Sequence, residues 1–320
     1  MKIPLSLSVY EHAARFVGRS PWEVSRDGEL LFSAHQAAYE VYRHAPVVVG
    51  IDIYNLEAEA YGCRVERPDG NGIPAVTEHP CREAADVLRL TPLEPAAGGR
   101  IPMVVEAAAR MKRASPGTDV RVPLSGPFSI AASLLGLDAL LTEVALAPDA
   151  VREGLFRLVE GQVAFARFVK AAGLDVAFFE SAAAPPLLSP DQFRAVELPP
   201  LKRALRAVER IVGHAVPCII GGDTAPITPA MLETGTNFLI CPSETDQEAF
   251  VEAMRAHPEV AVRVNLDPRV YSRGTREEIA RAVDAVLALA RRARPVLLGT
   301  GAIPYETPPE NILFIREYVA

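Results

Sequence analysis

Seven short apolar, β-branched runs recur along the chain, and each ends in Gly, Asp, Asn or Pro. They are VVVGIDIYN (47–55), DVRVPLSGP (119–127), LDVAFFES (174–181), AVPCIIGGDT (215–224), TNFLICPSE (236–244), VAVRVNLDP (260–268) and RPVLLGTG (294–301). None alternates cleanly between apolar and polar, as expected of strands buried on both faces of a parallel sheet. Residues 62–79 read as a weaker eighth candidate, an irregular strand or ribbon. Helical patterns separate the runs. Ser20–Glu23, Thr275–Glu278 and Thr307–Glu310 fit capping boxes. Ser189-Pro190 and Thr228-Pro229 place proline at a first helical position. Residues 151–169 carry one apolar stripe. About eight strand-helix alternations over 320 residues predict a single-domain α/β chain, 1–320, folded as a (β/α)8 TIM barrel. Periodicity does not show closure, so a doubly wound sheet stays open. The first 45 or so residues are expected as helical decoration on the barrel.

Apolar residues make up 49%, enough for a large core, and the net charge is −7 with no dense basic run. A main role on nucleic acid or an anionic membrane is not expected. The apolar runs fall well short of the ~18 residues of a membrane span. The N-terminus, with Lys2 as its one early lysine, lacks a signal-peptide pattern. Cys63, Cys81, Cys218 and Cys241 form no C-x-x-C pair, and His12, His35, His44, His79, His214 and His257 show no metal-ligand spacing. A reducing cytoplasm is the expected compartment.

Parallel barrels do their chemistry at the C-terminal strand ends. That rule selects Asp52, Tyr54, Asn55, Ser125, Glu180, Ser181, Asp223, Thr224, Cys241, Asn265, Asp267 and Thr300. Each also has a structural reading. Asp52 and Asp223 could cap helices, Glu180 could anchor a loop, and Asp267 could pin the turn before Pro268. Cys218, inside its strand, reads as core.

The segments SGPFSIAASLLG (125–136), ESAAAPPLLSPDQF (180–193), NLDP (265–268) and GTGAIPYETPPEN (299–311) together resemble the uroporphyrinogen decarboxylase superfamily, which includes cobalamin-dependent methyltransferases. The resemblance runs from about residue 10 to the C-terminus and implies two branches. In the decarboxylases an Arg-x-x-x-Arg grips carboxylates, and an aspartate after an early strand accepts pyrrole N–H bonds. Arg15, Arg19 and Asp52 look like these groups, and Ser181 matches a pocket serine. A tyrosine expected after the GPF turn is replaced by Ser133, however, and residues 299–304 hold no histidine. The thiol methyltransferases place zinc on His-x-Cys at the fifth strand end and on a cysteine at the last. Ile219 and Gly221 stand at the first two positions, and residues 299–304 lack a cysteine. The resemblance therefore implies a corrinoid-dependent methyltransferase without that zinc site, with no metal expected and its corrinoid (cobalamin) on a separate partner protein. Asp52, Glu180 and Asp223 would be its acid–base groups. Arg15 and Arg19 would bind substrate, with Tyr54, Asn55, Ser125, Ser181, Thr224, Cys241, Asn265, Asp267 and Thr300. A tetrapyrrole decarboxylase and a non-catalytic corrinoid- or porphyrin-binding protein are the alternatives.

Overall fold

The computed structural model describes residues 3–292 and 295–320; Lys2 and Arg294, named above, lie outside the described residues. Eight parallel strands form the frame: β1 (Leu5–Ser8), β2 (Val47–Val48), β3 (Val120–Ser125), β4 (Asp175–Phe179), β5 (Cys218–Ile219), β6 (Phe238–Cys241), β7 (Ala261–Asn265) and β8 (Val296–Ala302). Their ladders make two four-stranded sheets, in the orders β1-β8-β7-β6 and β2-β3-β4-β5. Within each sheet sequential strands are neighbours, and β8 returns to β1, pairing Leu298 with Leu5. This is the order of a (β/α)8 barrel and not of a doubly wound sheet. Where the two sheets meet at β5 and β6, a side chain replaces the ladder. Thr236 accepts from the Cys218 amide at 3.2 Å and donates to the Val216 carbonyl at 2.8 Å.

The eighth strand is not where the sequence pointed. It is β1, at the N-terminus, ahead of the expected helical decoration. LSLS is short and half polar, yet its strict alternation is what a barrel's first strand needs: Ser6 and Ser8 face the lumen. Residues 62–79 instead form an antiparallel ribbon, Arg64–Glu66 against Ala75–Glu78. Its turn lies over the barrel mouth, and Asn55 fixes it there by donating to the Pro74 carbonyl at 2.8 Å. The Ser20 and Thr275 capping boxes form. The Thr307 box does not: that helix starts at Pro309 without a side-chain cap, and the Thr307 hydroxyl bonds Ser272 instead.

Burial divides the apolar residues into two bodies. The larger lies between strands and helices. There α1 (Pro127–Leu135), α2 (Pro148–Ala171) and α3 (Leu198–Val212) pack side chains such as Phe128, Phe165 and Leu201, all fully buried. The smaller, built on Tyr10, Val48, Ile53, Ala177 and Phe179, sits inside the barrel. Among the described residues no single helix is long and apolar enough to cross a membrane.

Candidate active site

Because the strands are parallel, Asp52, Glu180, Asp223 and Asn265, which end or follow β2, β4, β5 and β7, all lie at one end of the barrel. A cavity of about 390 Å³ opens there. It is small for a ligand pocket. Its walls are mostly apolar (Ile51, Ile53, Phe179, Ile219, Ile240), and Ile73 and Pro74 of the ribbon form part of the rim.

Asp52, Tyr54, Asn55, Ser181 and Asn265 line this cavity, as the strand-end rule suggested. Asp52 is committed elsewhere, however. Arg100 binds both of its oxygens, at 2.8 and 2.7 Å, and the Asn55 amide donates to it at 3.1 Å. Arg100 also holds Glu59 and the Ser25 carbonyl. Burial pulls the Arg100 pKa down, but the Asp52 and Glu59 carboxylates outweigh it and the net shift is upward. The Tyr54 hydroxyl bonds the Ser181 hydroxyl, and its ring stands edge-on to Phe179. Burial pushes the Tyr54 pKa up.

The remaining sequence-selected residues stand outside the cavity lining. Arg15 pairs with Glu306 at 3.8 Å and Arg19 with Glu23 at 3.4 Å, and neither guanidinium lines the cavity. Ser125 is fully buried and donates its amide and hydroxyl to Glu57, a carboxyl that burial pushes up to about 7. Glu180 lies behind the wall and serves the N-terminus of α1. It accepts from the Phe128 amide, the Ser129 amide and the Ser129 hydroxyl at 3.1, 2.9 and 2.5 Å. Glu197, ahead of α3, faces it. Burial raises both pKa values, and the Glu180 carboxylate pushes that of Glu197 up further. Gly126 must be glycine because a Cβ there would strike the Glu180 side chain.

Asp223 accepts from Thr245 at 2.8 Å, and the neighbouring Thr224 is buried beside Thr228. Asp267 caps the helix at Pro268 through the Arg269 amide, and its hydrogen bond to the Arg269 side chain lowers its pKa. The Thr300 hydroxyl is used up between the Ser8 amide and the Gly301 carbonyl. Cys241 is buried, its thiol pushed up to about 12 by desolvation.

Five polar lining residues escaped the sequence reading: Ser8, Tyr10, Glu11, Glu244 and Arg263. Tyr10 and Glu11 follow β1, the strand that was not recognised. Arg263 sits inside β7, where the strand-end rule does not look; a lone arginine within the apolar run VAVRVN was the available signal. Desolvation pushes the Glu11 carboxyl up to about 7. This carboxyl forms no ion pair among the described residues, so no counter-charge offsets the desolvation that favours its neutral form.

The donor set does not fit a thiol-activating zinc. Ile219 and Gly221 both reach the cavity, at the positions where the thiol methyltransferases would need His and Cys, and neither can ligate. The end of β8 offers Gly301 and Ala302. Among the described residues no three His, Cys, Asp or Glu side chains converge in a metal-binding group.

An eight-stranded parallel barrel with a mouth cavity, and beside it an open pocket of about 410 Å³ that shares Tyr54, Asn55 and Ser181, defines the class. The family model for uroporphyrinogen decarboxylase (URO-D) matches residues 2–320, and the chain belongs to that family. A stretch of 139 residues, 42% of the chain, is 31% identical to the "Methylcobamide:CoM methyltransferase MtaA" of Methanosarcina barkeri. The MtaA of Methanosarcina barkeri (strain Fusaro / DSM 804) is 30% identical over the same length. The match spans about 40% of each of these relatives. Among solved structures, a methyltransferase from Methanosarcina mazei superposes with a TM-score of 0.81 at 22% identity, over 99% of this chain and 93% of that one. The β-glycosidase of Thermosphaera aggregans, at TM-score 0.52 and 12% identity over 100% of this chain and 97% of that one, shares the barrel alone.

Proposed function

We propose that this protein is a methyltransferase that moves a methyl group from a small heteroatom-bearing substrate to a corrinoid carried by a separate protein, without a thiol-activating zinc. The observation that carries this reading is the cavity itself. It is small, largely apolar, and among the described residues contains a single uncommitted cation, Arg263. A porphyrinogen bearing many carboxylates would need more guanidinium groups, and Arg15 and Arg19 do not supply them. The likeness to the methylcobamide-dependent relatives supports the same branch. The apolar rim at Ile73 and Pro74 suits the flat face of a macrocycle laid over the mouth.

The corrinoid would supply a strongly nucleophilic cobalt as methyl acceptor. The protein's own residues do the rest. The apolar walls exclude water and hold the substrate. Glu11, protonated near neutral pH, donates its proton to the oxygen or nitrogen that loses the methyl group, so the leaving group departs neutral and Glu11 remains as carboxylate. Asp52 serves as a positioning group: its pair with Arg100 fixes the loop that carries Tyr54 and Asn55.

Cob(I)alamin offered with a panel of O- and N-methylated small substrates, and methylcobalamin offered with their demethylated forms, test this through the visible spectrum of cobalt. Protein-dependent change with a panel member is the expected result. Release of carbon dioxide from uroporphyrinogen with unchanged cobalt spectra would overturn it.

A further inference from the structure

Among the described residues, the buried guanidinium of Arg263 has no ion-pair partner. Along β7, Ala261, Arg263 and Asn265 face the lumen, while Val262 and Val264 face the helices. The Arg263 guanidinium is buried to 5% exposure, and among the described residues no carboxylate lies within ion-pair distance of it. Its Nη1 donates to the Ser8 hydroxyl at 3.1 Å. Its Nε is buried and bonds nothing, and the same is true of Oδ1 of Asn265, two residues on. The ring of Phe238 lies 5.9 Å from the guanidinium carbon. Asp52, on the same cavity, is occupied by Arg100, and neither Glu11 nor Glu244 reaches Arg263. An isolated buried cation is costly and is ordinarily paired or replaced. The fold nevertheless makes room for it. Gly299 on β8 has no side chain where Arg263 passes, and a Cβ there would come within 2.5 Å of the arginine Cγ.

We propose that Arg263, with the Ser8 hydroxyl and Nδ2 of Asn265 beside it as further donors, is the seat for a single oxyanion, a carboxylate or sulfonate, carried by the small molecule that enters the cavity. Two parallel N–H donors of the guanidinium match two oxygens of such a group. The anion supplies the counter-charge that the free protein lacks. Seated there, it would fix which end of the molecule points up toward Glu11 and the mouth. This inference rests on the small-substrate reading above and names the class of substrate.

Purified protein is titrated at matched ionic strength with ethanesulfonate and propionate, and in parallel with propionamide and propylammonium. Melting temperature and calorimetric heat are followed. The two anions are expected to bind saturably, and the amide and the amine are not. Arg263→Met should weaken anion binding at least tenfold while melting, without ligand, at or above the wild-type temperature. Equal binding of propionamide and propionate to the wild type would overturn the proposal, and that arm does not depend on any variant folding. Unchanged anion binding by Arg263→Met would overturn it as well. Specific anion binding without any cobalt reaction would uphold this inference and reject the methyltransferase reading. Methyl transfer by a protein that ignores anions would do the reverse.

Discussion

The layer between strands and helices and the lumen of the barrel are built on opposite plans. In the outer layer, Phe128, Phe165, Val176 and Leu201 are completely buried, and they join one continuous apolar cluster. The lumen has only a handful of packed residues around Tyr10 and Phe179, with the mouth cavity on one side and a second cavity of about 210 Å³ on the other. Polar side chains, among them Ser8, Arg263 and Asn265, face that interior. The outer layer carries the stability, and the lumen gives up packing to hold a ligand. Protein interiors are otherwise close-packed, so such a difference within one chain marks where function is located.

The contrast can be tested first by truncation. Phe165→Ala should cost about 3–5 kcal/mol in unfolding free energy, whereas Ile219→Ala, which borders both cavities and has less to lose, should cost under about 2 kcal/mol. Equal losses by denaturant titration would erase the distinction. Next in size is Glu11→Gln. Removal of the proton donor should lower the rate of the cobalt reaction by about 10²-fold or more. The folded protein should be no less stable, because a buried ionisable group is removed. A rate within a few-fold of wild type would take Glu11 out of the chemistry.

Asp52→Asn breaks a buried pair but leaves Arg100 its Glu59 partner. A loss of about 2 kcal/mol in stability is expected, below the 3–5 kcal/mol typical when a buried charge is left wholly unpaired. A variant as stable as wild type but without turnover would return Asp52 to a catalytic role. A further effect concerns pH. Glu11 has a folded pKa of about 7 against a reference of 4.5. A raised carboxyl adds stability that is complete below about pH 4.5 and is lost as pH rises through about 7. The melting temperature of Glu11→Gln relative to wild type should therefore increase between pH 4.5 and 8. The neighbouring His12, which burial pushes down to about 4, titrates in the opposite sense but is common to both proteins and cancels. A pH-independent difference would show that Glu11 titrates normally in the folded state.

Much of the fold was legible because buried parallel strands leave an unbroken apolar signature with turn residues at the end. β1 was hidden because its two serines face a lumen that tolerates polar groups, so LSLS does not look like a core strand. The site was legible only where a strand-end side chain faces inward, as at Tyr54, Asn55, Ser181 and Asn265. Glu180 and Ser125 satisfy the same positional rule but turn behind the wall to hold the start of α1 and to meet Glu57. Which way a residue turns depends on partners distant in sequence, such as Arg100 for Asp52, and a linear pattern does not contain them. Glu11 and Arg263 were missed for two separate reasons, an unrecognised strand and a position within a strand.

The close approach of Gly299 to the Arg263 stem has a consequence for descent. Gly299 cannot gain a side chain while the arginine is present. A side chain gained at 299 would displace the arginine, and an arginine arising opposite anything larger than glycine would not fit the strand. Across aligned relatives the two positions should therefore change together, with arginine accompanied by glycine. Sequences that have lost the arginine should be free to enlarge the glycine only where position 265 has changed as well, because Oδ1 of Asn265 would collide with the same Cβ. Such a covarying pair would sort the family into members that admit an acidic substrate and members that do not, without a single assay.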